Sequence, residues 1–198
     1  MITLYHSPNS RSSSITTLVD ELGADVEIRE VSIPRHDGTG GPDQDNPHPE
    51  KKVPYLVDGD EKVRERGAIA LYLTDKFPEA GLGPIEGEPG RGDYLSWLFY
   101  YQGVMEPVLV LHWTKLSHPA FEATFRDYDA MVARLAECLE KQPYLLGDRY
   151  SAADLLCSSP FMWMPEFIPD NQAIRDWVMR CKDRPAATRT AERENVAA

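Results

Sequence analysis

No cysteine occurs before Cys138, and the three present (Cys138, Cys157, Cys181) stand at spacings unlike any zinc-ligand set. A disulfide scaffold is excluded, and a sparse, odd set in an acidic chain reads as buried reduced thiols in a reducing compartment. Positive charge is also scarce. Lys and Arg number 21 against 32 Asp and Glu, a net charge of −11. A phosphate backbone would be repelled overall, so nucleic acid is not an expected partner. No apolar run is long enough to span a bilayer, and the first residues, MITLYHSPNS, lack the charged leader and apolar run of a secretory signal. The expectation is a cytoplasmic globular protein with no membrane partner. The five histidines (His6, His36, His48, His112, His118) have no metal-ligand spacing, and no metal is assigned.

What is present suits a folded chain of 198 residues, 42% apolar and 27% charged, enough for one good core or two small ones. Ile2 to Tyr5 reads as a strand, and Ser7-Pro8-Asn9 as turn chemistry. Ile15, Leu18, Val19 and Leu22 then line one face of a helix starting near Ser10 to Ser12, with Gly23 placed to close it in a left-handed cap. Val26 to Ile33 alternates as a second strand, parallel to the first because a helix intervenes. Pro34 to Pro49, rich in Pro, Gly, Asp and Asn, has no period and reads as a surface loop.

The segment from Lys52 to Leu73 carries the most specific pattern. Val53-Pro54 opens it in extended backbone. Tyr55-Leu56-Val57 and Lys62-Val63-Arg64 flank the turn Asp58-Gly59-Asp60, a hairpin signal. Ile69, Tyr72, Leu73 and Phe77 follow at helical spacing until Pro78. Pro78 to Pro89, broken by glycine and proline, reads as a linker. Beyond it only helices are expected. Tyr94 to Trp113 is apolar on more than one face, with Pro107 set to kink it. Phe121, Phe125, Tyr128, Val132, Leu135 and Leu139 mark the next helix. Ser151-Ala152-Ala153-Asp154 is a capping box for another, Ile174 to Cys181 keeps 3-4 spacing in a fourth, and Arg184-Pro185-Ala186 begins a last short one.

Val53-Pro54-Tyr55-Leu56, the acidic turn and Glu65-Arg66-Gly67-Ala68-Ile69 resemble the glutathione-binding half of the cytosolic glutathione S-transferases, bacterial type, with arginine where serine is usual. Gly147 to Asp154 and Arg184-Pro185-Ala186 extend the resemblance over nearly the whole chain. It implies an α/β plus all-α architecture: a thioredoxin-like glutathione-binding domain over 1–77, a linker over 78–88, and a helical bundle domain over 89–198 lining an electrophile pocket. It also implies a homodimer, glutathione as co-substrate, and a small hydrophobic electrophile as the second substrate, in a detoxifying transferase.

The same resemblance assigns candidate residues. Pro54, otherwise an edge or bulge proline, would be cis and would turn the backbone of Val53 toward the cysteinyl unit of glutathione beside Lys52. Glu65, otherwise a helix-dipole partner, would hold the γ-glutamyl ammonium. Arg66 would bind a ligand carboxylate or form a surface ion pair. The residue stabilising the glutathione thiolate lies between the first strand and helix in this family. Ser7 and Ser10 are the candidates, Ser12 comes third, and Tyr5 sits inside the strand. No cysteine precedes the first helix, against the members that use their own thiol. Tyr101, Met105 and Trp113, beside Tyr100, would line the electrophile pocket, although residues at that spacing more often form core. Ser7-Pro8-Asn9 also resembles the Thr-Pro-Asn segment of nu-like members that reduce disulfides with two glutathiones. A binding protein without catalysis is the third reading.

Overall fold

The structure is a computed structural model describing residues 1–196, without the side chain of Val196. Strands β1 (Ile2–His6), β2 (Val26–Glu30), β3 (Tyr55–Asp58) and β4 (Glu61–Arg64) form one mixed sheet in the order β2-β1-β3-β4. β1 and β2 are parallel, with helix α1 (Ser13–Leu22) between them in sequence, and β3 runs antiparallel to β1 and β4. Gly23 closes α1 at φ 60°, the left-handed cap the sequence signals. Helix α2 (Arg66–Lys76) follows β4, and its Tyr72 hydroxyl and Lys76 ammonium both reach Asp58 at the hairpin turn. Leu4, Leu56, Ile15, Leu18, Ile69 and Leu73 are the buried centre of this unit.

The remaining helices are α3 (Arg91–Tyr100), α4 (Glu106–Thr114), α5 (Pro119–Phe125), α6 (Tyr128–Leu139), α7 (Ala152–Trp163), α8 (Gln172–Lys182) and α9 (Pro185–Val196). Between α3 and α4 the backbone continues as a five-residue π-helical segment, Tyr101–Met105. The expected proline kink therefore takes the form of a widened turn. Pro107 has no N–H to bond back one turn and its ring crowds that carbonyl, and the extra residue absorbs the mismatch. The single helix expected over Phe121 to Leu139 is two. Arg126 takes φ 76°, and Asp127 restarts the chain as a new N-cap, accepting from Ala130 N–H at 2.7 Å. The 3-4 apolar spacing runs across this break, so periodicity alone does not reveal it.

The compact units fall differently from a simple two-part division. One comprises residues 1–80 together with everything from Pro185 on; the other is residues 81–184. Helix α9 is neither short nor part of the second unit. It packs on α1, where Thr17 donates to Thr190 at 3.0 Å and Asp20 pairs with Arg189 and Arg193 at 2.8 and 3.1 Å. In the second unit Trp177, Tyr94, Tyr101 and Phe161 are buried. The Ser151–Asp154 capping box forms as read. Cys157 and Cys181 are buried thiols, whereas Cys138 is half-buried. No helix among the described residues is long and apolar enough to cross a membrane.

Candidate functional site

The sheet brings the candidate residues of the first unit to one end. Tyr5 pairs with Tyr55, and Tyr55 with Arg64. At this end β1 runs on into Ser7, Val53-Pro54 leads into β3, and Glu65-Arg66 follows β4. The Val53–Pro54 peptide is cis. Of the five non-glycine residues with positive φ among the described residues, three flank this edge: Asn9 (φ 53°) in the β1–α1 loop, Lys51 (φ 54°) before Lys52, and Glu65 (φ 68°) before α2. Holding a non-glycine residue there costs on the order of 1–3 kcal/mol, and such residues gather where a ligand is held.

Lys52 and Glu65 are exposed, Val53 is half-buried and Pro54 is buried. Arg66 is only 6% exposed, so it does not lie on the open surface. A cation at the first turn of a helix opposes the dipole, and Arg66 is kept there under cover. The approach to Val53 is braced by two residues of the aperiodic loop over 34–49. Asn46, fully buried, donates to the Lys52 carbonyl at 3.1 Å and accepts from His48 N–H at 3.0 Å. His48, also buried, packs edge-on against Tyr55 and accepts from Glu50 N–H at 3.0 Å. Loop composition hid them, since both contacts depend on how the loop folds back.

The β1–α1 loop holds a compact hydroxyl cluster. Ser7, Ser10 and Ser12 are all buried. Ser12 Oγ lies 2.7 Å from His6 Nδ1 and 2.7 Å from Ser10 Oγ, and accepts from Ser7 N–H at 3.1 Å. Arg35, on the loop after β2, donates to Ser7 Oγ (3.2 Å), the Pro8 carbonyl (2.7 Å) and the Asn9 carbonyl (3.0 Å). From α9, Glu194 accepts from Asn9 N–H at 3.0 Å and brings its second oxygen to 3.6 Å from His6 Nε2. Burial, aided by the charge of Arg193, pushes the His6 pKa down to about 4. Arg35, His6 and Glu194 had no sequence signal. Tyr5 stays within β1. Of the residues named for the electrophile pocket, Tyr101 and Met105 are in the core at 1% and 0% exposure, in the π-helical segment, and Trp113 is 48% exposed. No group of three or more His, Cys, Asp and Glu among the described residues is arranged to hold a metal.

A cis proline beside a polar loop at a helix start offers backbone groups for an extended peptide and donors for an anion. Comparison with known proteins agrees with this class. Residues 1–75 match the model of the glutathione S-transferase N-terminal domain, and residues 103–185 that of its C-terminal domain. The chain belongs to the glutathione S-transferase family. It is 30% identical to glutathione S-transferase F10 of Arabidopsis thaliana over 78% of this chain and 77% of that protein. It is 29% identical to the disulfide-bond oxidoreductase YfcG of Escherichia coli over 94% of this chain and 92% of the relative. A sphingomonad glutathione S-transferase solved in complex with glutathione superposes with a TM-score of 0.76 at 27% identity, covering 98% of this chain and 99% of that one.

Proposed function

We propose that the chain binds glutathione at this end of the sheet, stabilises its thiolate at the β1–α1 loop, and transfers it to a small hydrophobic electrophile. The observation that carries the reading is the cis Val53–Pro54 peptide leading into β3 at the end of the sheet where β1 runs on into the buried serine cluster. The backbone of Val53 pairs with the cysteinyl unit beside Lys52 and Pro54, Glu65 takes the ammonium of the γ-glutamyl end, and Arg66 takes its carboxylate. A hydroxyl of the loop, Ser7 or Ser10, donates to the sulfur. A free thiol has a pKa of roughly 8.5, and a hydrogen bond given only to the thiolate lowers it. The sulfur lone pair then forms the S–C bond while the leaving group departs with its bonding electrons, and the thiol proton passes to solvent.

A second reading is favoured by the likeness to a disulfide-bond oxidoreductase along nearly the whole chain. The first 137 residues contain no cysteine, so such a reaction would use two glutathiones. One thiolate displaces half of the disulfide, and a second resolves the mixed disulfide to oxidised glutathione. Turnover of purified protein separates the readings. We expect conjugation of a halogenated nitroarene; reduction of a small disulfide without conjugation would select the second, and glutathione binding with neither would leave a binding protein. Phe99 and Trp113, exposed at 69% and 48% along the Tyr94–Trp113 run, support a homodimer. Sedimentation of a one-chain species at micromolar concentration would rule that out.

Arg66→Ala is expected to weaken glutathione binding by about 1.5–3 kcal/mol, the worth of a hydrogen bond to a charged group. Arg66→Ser, which supplies a hydroxyl donor, should recover part of it. Titration calorimetry on the three proteins reads both, and equal affinities would remove Arg66 from the site.

A further inference from the structure

A hydroxyl carries one proton and two acceptor sites, so the protons of the serine cluster can be counted. Ser7 N–H fills one acceptor site of Ser12 Oγ. The rest depends on which nitrogen of His6 is protonated. His6 is neutral near pH 7, since burial and Arg193 lower its pKa to about 4. Its Nε2 faces Glu194 Oε1 at 3.6 Å, and that oxygen is buried without a hydrogen bond. A lone pair pointed at a carboxylate is repelled, whereas an N–H is attracted, so the ring proton sits on Nε2. Nδ1 is then an acceptor, and at 2.7 Å it takes the proton of Ser12 in preference to the Ser7 carbonyl, which lies farther off at 3.3 Å. Ser12 has one acceptor site left, which takes the proton of Ser10 at 2.7 Å. Ser10 in turn accepts from Ser12 N–H at 3.1 Å. Every proton of this chain runs toward His6, and Ser10 has none to give. Ser7 Oγ accepts from Arg35 at 3.2 Å and keeps its own proton.

We propose that Glu194 on the last helix, acting through His6, fixes the direction of these hydroxyl protons, so that Ser7, clamped by Arg35, is the donor to the glutathione sulfur and Ser10 is not. Glu194, His6 and Arg35 are positioning residues; Ser7 alone touches the reacting atom. The inference rests on the thiolate-stabilising role proposed for the loop.

Two measurements test it. Nitrogen-15 shifts of the imidazole report the tautomer in the whole protein without substrate. His6 is expected protonated at Nε2, and at Nδ1 in Glu194→Gln, whose amide keeps the oxygen for Asn9 and presents N–H to the ring. A wild-type proton on Nδ1 overturns the proposal even if no serine variant folds. The second reading is the thiol pKa of bound glutathione, from thiolate absorbance against pH. Ser7→Ala should raise it by about two units and lower kcat on the order of 100-fold, and Ser10→Ala should raise it less. Adding Glu194→Gln to Ser7→Ala reverses the chain, frees the Ser10 proton and should recover part of the loss, which a merely structural role of Glu194 would not do. A larger effect from Ser10→Ala than from Ser7→Ala, or no recovery in the double variant, defeats the inference and leaves the thiolate role intact. An unchanged thiol pKa in both single variants defeats that role itself.

Discussion

Asp154→Ala is expected to destabilise the fold by about 4 kcal/mol, a large share of the roughly 5–15 kcal/mol that a domain of this kind has. The carboxylate is fully buried and accepts four hydrogen bonds from three parts of the chain. Leu145 N–H and Trp177 Nε1 reach Oδ1 at 2.8 and 2.9 Å, and the N–H and hydroxyl of Ser151 reach Oδ2 at 2.9 and 2.8 Å. Desolvation pushes the pKa of this carboxyl up, and the four donors pull against it. Removing the acceptor strands buried donors at about 1–3 kcal/mol each, less whatever entering water recovers. Asp154→Asn should help little, because its amide nitrogen must face a pair of donors. Urea denaturation of the three proteins is the check. A loss below about 1 kcal/mol for Asp154→Ala would mean that the turn before α7 and the middle of α8 are held by packing instead.

Acid should be felt first at His6. Its folded pKa of about 4 lies below the ordinary 6.5, so between those values the unfolded chain binds a proton that the folded chain refuses. Above pH 6.5 the ring is neutral in both states and contributes nothing to the pH dependence. As pH falls from 6.5 toward 4 the unfolded state gains, and about 3 kcal/mol of stability is lost across the window. The cause is burial first and Arg193 second. His6→Gln should flatten that part of the curve, leaving the slope due to carboxylates and to His48, whose pKa burial also lowers. Denaturation midpoints at pH 7, 5.5 and 4.5 for both proteins decide the matter; parallel curves would show that His6 is protonated without opening the fold.

The sequence made legible what is local. The β3–β4 hairpin came from Asp58-Gly59, the start of α7 from Ser151 and Asp154, and the end of α1 from Gly23, because each is a short-range conformational preference. The Pro107 signal was seen, but proline specifies a missing hydrogen bond and not the form of the repair, so a π-helical segment was not legible. The break at Arg126 was hidden by apolar spacing that continues across it. Of the site, the serines and Val53-Pro54 could be named because the family pattern places them. Arg35, Asn46, His6 and Glu194 could not. Their hydrogen bonds join a loop or a distant helix to the edge of the sheet, and neither period nor motif encodes a contact between Asn9 and Glu194.

The docking of α9 on α1 has a consequence for how the protein comes into being. The chain is made from its N-terminal side, so β1, α1 and the serine loop leave the ribosome well before Thr190, Arg193 and Glu194. A separation of 185 residues must be bridged before Glu194 reaches Asn9, an entropic cost that grows only slowly with length. Until then the loop lacks its partner on the last helix. A chain cut before α9 would carry the serine loop without its contact to Glu194, so the proposed site would be complete only once α9 has docked.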